Sequence, residues 1–260
     1  MSAFKQRMIR AFDAAAGYDQ AAAVQQRVAA SLAQRIAALP LPRYARILEV
    51  GCGTGFVAAA MASLPQGADW LMTDVSGAMV RRARQRFHGQ PAYRFAILDA
   101  ESPHFETVEK PFDLICSSLA AQWFEDLAGA LGRLFRLLKP GGHLLLSTLA
   151  ADTFAEWRAA HESLGLTAGT PSYPDRAALE AILLDGSAGR IAIETFTSTY
   201  PSGRDFVRTL RALGAATPRS GHRPLPPRSM HAVLQKFEEA GARISWQVAF
   251  CSFRRPEESQ

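Results

Sequence analysis

A short apolar strand runs straight into three glycines at alternate positions: Ile47-Leu48-Glu49-Val50-Gly51-Cys52-Gly53-Thr54-Gly55. No other stretch constrains the chain as much. Glycine adopts left-handed backbone angles that other residues resist, so this spacing lets the chain turn sharply out of a strand. The following run, Phe56–Leu64, is compatible with a helix. A helix starting there exposes its first amides, because the first N–H groups of any helix lack partners within it. Strand, glycine turn and helix together leave room for a ligand against the backbone, at the carboxyl end of a sheet.

At 260 residues, 48% hydrophobic and 20% charged, the chain can bury one large α/β domain with an elaborated lid. Cys52, Cys116 and Cys251 are odd in number, far apart and without metal-ligand spacing. They read as reduced thiols of a cytoplasmic protein, and no metal is expected. The N-terminus is Ala-rich but carries Lys5, Arg7, Arg10, Asp13 and Asp19, unlike a secretory signal. The apolar runs are too short for a bilayer, so a soluble protein without membrane partners is expected. The net charge of +5 is unevenly spread: residues 1–46 hold seven Lys or Arg against two Asp, and 201–236 hold seven against Asp205. An acidic partner approaching one face is one reading, and a solvated arginine-rich surface is the other.

From Arg46 onward, short β-type runs alternate with helical patterns, as in a parallel sheet wound by helices. The expected strands are Arg46–Val50, Trp70–Thr73, Tyr93–Leu98, Leu114–Ser117 and Leu144–Thr148. Helices are expected at Phe56–Leu64, Ala78–Phe87 and Leu127–Leu138, the last stopped by Lys139-Pro140-Gly141-Gly142. Ile191–Tyr200 and Ile244–Phe253 would complete a seven-stranded sheet as an antiparallel edge pair. Within one domain of residues 1–260, residues 1–45 read as a cap of two helices broken near Gly17, and 46–150 as the binding core. Residues 201–228, opening with a helical Arg204–Leu213, read as a basic lid over the crevice.

The glycine turn resembles the E/D-x-G-x-G-x-G motif of Rossmann-like class I S-adenosylmethionine methyltransferases, which Glu49, Gly51, Gly53 and Gly55 match without a gap. It differs from the dinucleotide fingerprint, whose third glycine follows three residues after the second. An acid at Glu49 would repel a pyrophosphate and suits the ammonium and sulfonium of S-adenosylmethionine. Nineteen residues after Gly55, Asp74 ends the second strand, where it can accept bonds from both ribose hydroxyls or cap the next helix. Met79 can pack on an adenine face or in the core. The resemblance implies that Asp99 receives the adenine amino group, that the Ala100 amide meets a ring nitrogen, and that the strand end at Ser117 faces the ligand. It also implies a structural Asp113, and Arg136–Gly142 matches the family stretch before strand five.

The segment Ser117-Ser118-Leu119-Ala120-Ala121-Gln122-Trp123 is more particular. With Phe12-Asp13-x-Ala15-Ala16-x-Tyr18, with Gln25 seven residues further, and with Leu210-Arg211-Ala212-Leu213-Gly214-Ala215, it resembles the malonyl-acyl-carrier-protein O-methyltransferases of biotin synthesis. The likeness fades between about Leu164 and Arg190 and around Ser220–Arg228. It implies methylation of the malonyl carboxylate, already ionised near neutral pH, so no general base is needed. Neutral donors suit such a site: Tyr18, Gln122 and Trp123, the indole N–H as donor and the ring as wall, with core packing as the alternative for Trp123. Arg204, Arg208 and Arg211 recur at i, i+4 and i+7, one helix face fit to dock an acidic carrier protein. Other readings are methylation of another small carboxylic acid, aconitate-like, or a non-methylating assembly factor that keeps the cofactor site. Nucleic acid is disfavoured as a partner, since no Asn/Asp-Pro-Pro-Tyr-type motif follows strand four.

Overall fold

A computed structural model of the chain describes residues 1–61, 67–102, 111–182, 184, 187, 189–218 and 221–257. Seven strands among them form one sheet: β1 (Arg46–Val50), β2 (Asp69–Asp74), β3 (Tyr93–Ile97), β4 (Phe112–Ser118), β5 (Leu138–Leu149), β6 (Arg190–Thr199) and β7 (Arg243–Arg254). Their spatial order is β3-β2-β1-β4-β5-β7-β6. The neighbours from β3 to β5 pair in parallel. The near-continuous apolar runs of β1 and β4 suit this arrangement, since a central parallel strand is covered on both faces. Leu48, Leu114, Ile115 and Cys116 are all fully buried.

The strand order reverses at β1, whose neighbours are β2 on one side and β4 on the other. Successive crossovers diverge there and leave a crevice at the strands' carboxyl ends. The intervening helices are α4 (Phe56–Ala60), α5 (Gly77–Arg86) and α6 (Leu127–Arg136). Ser76 caps α5 by accepting from the Met79 N–H, and Asp126 caps α6 by accepting from the Gly129 N–H. Residues 62–64 of the expected helix Phe56–Leu64, and Arg219 and Ser220 in the expected lid, lie outside the described residues.

The Pro-Gly-Gly stretch departs from expectation. Helix α6 ends at Arg136 and β5 begins at Leu138, so Lys139–Gly142 lie inside a strand rather than in a turn. The register with β4 jumps from Phe112↔Leu138 to Leu114↔His143, which makes the stretch a bulge. Gly141 supplies it with a left-handed φ of 76° and sends its N–H to the Arg255 carbonyl.

The chain divides into two compact units. One comprises Gln25–Thr148, Arg176–Ala192 and Ala249–Gln260 and includes β1 to β4. The other draws on Met1–Val24, Leu149–Asp175 and Ile193–Val248. The expected N-terminal cap is three helices rather than two: α1 (Ala3–Ala14), α2 (Tyr18–Ala21) and α3 (Ala23–Ala37). The division between units falls inside α3. After β5 come α7 (Ala155–Glu162), α8 (Arg176–Glu180), α9 (Gly203–Ala212) and α10 (Pro227–Glu239). In the second of these units, the buried Phe206 ring of α9 lies 5.6 Å from Phe154, 5.3 Å from Trp157 and from Tyr200, and 5.7 Å from Phe237. Such rings bury large apolar areas and favour the tilted and edge-on packings seen here.

Candidate active site

All three glycines of the turn after β1 have positive φ: 64° at Gly51, 55° at Gly53 and 89° at Gly55. The conformational part of the expectation holds. The space they leave goes elsewhere, however. A Cβ on Gly51 would stand 2.3 Å from the Ala120 Cβ, and one on Gly55 2.6 Å from the Phe87 ring. Two of the glycines are therefore required by the packing of the chain on itself, which brings the turn against the loop after β4.

Asp74, at the end of β2, accepts from the Gly53 N–H with Oδ2 (2.9 Å) and from the Ser76 N–H with Oδ1 (2.8 Å). Ser76, not Asp74, caps α5. Asp74 instead ties the glycine turn to the second strand, and a carboxylate has about four lone-pair directions with which to serve a ligand as well. Met79 is buried in the core, with its sulfur 3.7 Å from an Arg82 nitrogen. Asp99 accepts from the Glu101 N–H (3.0 Å), and Ala100 beside it is buried. Glu101 Oε1 in turn accepts from the Glu125 and Asp126 N–H groups, 2.8 Å each. Asp113 is structural, as the resemblance implies: it accepts from the Arg46 N–H and pairs with Lys139 at 2.7 Å.

Several buried acceptors at these strand ends have no partner among the described residues: Glu49 Oε2 on β1, Ser117 Oγ on β4, and Thr148 Oγ1 on β5. Register places Ser117 opposite Leu146, two residues from Thr148, so these two hydroxyls share a face of the sheet. A buried polar atom without a partner is costly, and the two hydroxyls on one face are candidates for a ligand, while Glu49, paired with Cys116, lies on the other face. Glu49 with the glycine turn, Asp74, and Asp99 with Ala100, the residues expected to meet the amino-acid end, the ribose and the adenine of S-adenosylmethionine, lie at or just beyond the carboxyl ends of β1, β2 and β3. Sequence reasoning did not single out Thr148, nor give a role to Gln25, whose Oε1 is also buried and unpartnered.

The turn after β4 is strained. Leu119 has φ 49°, a region that costs a non-glycine residue on the order of 1 kcal/mol or more. Its N–H donates to Ser147 O (3.0 Å) and Oγ (3.1 Å), and its carbonyl accepts from Gln122 Nε2 (2.7 Å). One Gln122 N–H is thus spent on holding the turn, and its buried Oε1 has no partner. Gln122 and the half-buried Trp123 sit on a single 3-10 turn, Ala121–Trp123.

In the other unit, the half-buried Tyr18 opens α2, its ring edge-on to Phe12 at 6.5 Å. Arg204, Arg208 and Arg211 are all exposed along α9, opposite its buried Phe206. Arg208 pairs with Asp205 at 2.5 Å, which offsets one of the three charges. Among the described residues no cluster of His, Cys, Asp and Glu is arranged to hold a metal, and no helix is long and apolar enough to cross a membrane.

Residues 48–146 match a family model described as a methyltransferase domain. Over 94% of its length the chain is 45% identical to the biotin biosynthesis bifunctional protein BioCD of Bordetella avium, of which it spans 51%. It is 37% identical over 96% of its length to a malonyl-[acyl-carrier protein] O-methyltransferase of Magnetococcus marinus, covering 92% of that protein. The crystal structure of the YcgJ protein from Bacillus subtilis superposes with a TM-score of 0.63 at 18% identity, over 87% of this chain and 98% of that one, a likeness of fold.

Proposed function

The chain belongs to the malonyl-[acyl-carrier protein] O-methyltransferase family, and we propose that it methylates the free carboxylate of a malonyl thioester carried by acyl carrier protein, an early step of biotin (pimeloyl) synthesis in the cytoplasm. Bound S-adenosylmethionine supplies an electrophilic methyl group on a positively charged sulfur. With that group bound, a malonate oxygen would form the new C–O bond as the S–CH3 bond broke, with the electron pair left on sulfur. An anion and a cation become a neutral ester and a neutral thioether, and no proton moves.

One observation carries this reading. The polar side chains at the end of β4 and in its turn are Ser117, Ser118, Gln122 and Trp123, none of which takes up a proton near neutral pH. A site for an acceptor that must be deprotonated needs a base there, whereas a carboxylate needs only to be held in line and kept from water. Because charge disappears in the transition state, a dry site favours it over the separated ions. Gln122, with its remaining N–H, and the Trp123 indole are the neutral groups of this turn that orient the carboxylate. A full cation against it would lower its nucleophilicity. The arginines of α9 serve the acidic carrier protein.

Malonyl-carrier protein incubated with the chain and S-adenosylmethionine should gain one methyl group as a base-labile ester, read by mass spectrometry of the intact carrier. A malonyl group left unmodified would overturn the assignment.

A further inference from the structure

Glu49 places an acid where a charge is costly. It is the fourth residue of β1, only 1% exposed, with Oε2 unpartnered. The titratable and charged groups that face it are Asp74 at the end of β2, the Cys52 thiol of the glycine turn, the Cys116 thiol opposite it on β4 and the Tyr93 phenol on β3. Among the described residues no cation faces it. Asp74, whose two oxygens are already engaged by backbone N–H groups, adds a repelling charge. A leucine or methionine would fill this position with no such penalty.

We propose that Glu49 is a neutral acid in the free protein and releases its proton to solvent as the cationic cofactor binds, so that it admits ligands by their charge. Burial pushes its carboxyl up to about 8; a backbone hydrogen bond at Ala58 opposes this and the Asp74 charge adds to it. An ammonium or sulfonium beside the carboxyl replaces the proton, leaving a carboxylate against a cation and one proton in the buffer. A ligand that brings a pyrophosphate drives no such exchange, since it favours the protonated acid and gains no ion pair. The proposal rests on the cofactor being a cation and not on the acceptor, so a failure to methylate malonyl-carrier protein would leave it standing.

Isothermal titration with S-adenosylmethionine in buffers of different ionisation enthalpy tests it. Near pH 7 binding should release close to one proton, and affinity should rise up to about tenfold per pH unit from pH 6 toward 8. The ligand's own amine acts in the opposite sense, weakening binding at higher pH as it loses its charge. Glu49→Gln, the shape of the neutral acid, should bind more weakly, release no proton and show a flat profile over that range. Infrared difference spectra of the wild-type protein should show a protonated-carboxyl band vanishing on cofactor addition, which decides the matter even if the variant fails to fold. A binding enthalpy independent of buffer, a Glu49→Gln variant that still releases a proton, or a carboxyl band unchanged by the cofactor would each overturn the proposal.

Discussion

The two compact units build their cores by opposite means. The one holding the glycine turn packs aliphatic strand residues such as Leu48, Ile115 and Leu144, drawn mostly from the single run Gln25–Thr148. The other draws Phe154 and Trp157 from Leu149–Asp175 and Tyr200, Phe206 and Phe237 from Ile193–Val248, rings that meet only after the chain has returned. The first carries the cofactor residues of a widely shared fold. The first also holds Gln122 and Trp123, proposed for the acceptor, and the second holds Tyr18 and the arginines of α9, proposed for the acceptor and its carrier. The first core follows from local strand patterns, and the second depends on packing between residues distant in the chain.

The contrast breaks if damage to one core spreads to the other's function. Phe206→Ala should cost about 3–5 kcal/mol in the aromatic unit, by the usual price of emptying a large buried site. Calorimetry should show that loss while cofactor affinity stays within about twofold, and carrier methylation falls sharply. An equal collapse of cofactor binding would mean that the units are not energetically separate.

Gly51→Ala should come next, at about 2–4 kcal/mol, from the 2.3 Å approach to Ala120 and the positive φ. Here cofactor binding should fall with stability, and adding Ala120→Gly should restore part of both. Gly214→Ala in the other unit, with φ 69° and the Ala11 carbonyl 2.9 Å from the new Cβ, should destabilise with little effect on the cofactor.

Smaller is the pH dependence. With Glu49 raised to about 8, the free protein holds a proton that the unfolded chain loses near its ordinary 4.5. The folded state therefore binds more protons, and its stability falls as pH rises, by about 2 kcal/mol between pH 6 and pH 8 from this group. Thermal unfolding should show that slope, and Glu49→Gln should remove it.

Smallest of all is charge reversal on α9. Arg208→Glu with Arg211→Glu should raise KM for malonyl-carrier protein about tenfold, more strongly at low salt, and leave KM for a small malonyl thioester nearly unchanged. Equal effects on both substrates would remove α9 from carrier docking.

Much of the first unit was legible in the amino-acid sequence. The expected strands from Arg46 to Thr148 match β1 to β5 closely at most ends, because their apolar runs are short and bounded by turn residues. The Pro140–Gly142 stretch misled, since glycine serves a bulge as readily as a helix stop, and only pairing with β4 distinguishes them. Helices α7 and α10 carried no local signal as plain as the glycine turn. Their apolar faces answer to rings far away in the chain.

The sequence by itself determined the sharp turn at Gly51–Gly55, the acids at its margins and, through them, a cationic nucleoside ligand. Those features depend on backbone angles and on residues a few positions apart. Only the tertiary structure decided that Gly51 makes way for Ala120, that Gln122 spends an N–H on the strained Leu119 carbonyl, and that Glu49 is buried beside Asp74. Each of those depends on which atoms meet across the sheet, and a contact between distant residues leaves no mark on the local sequence of either.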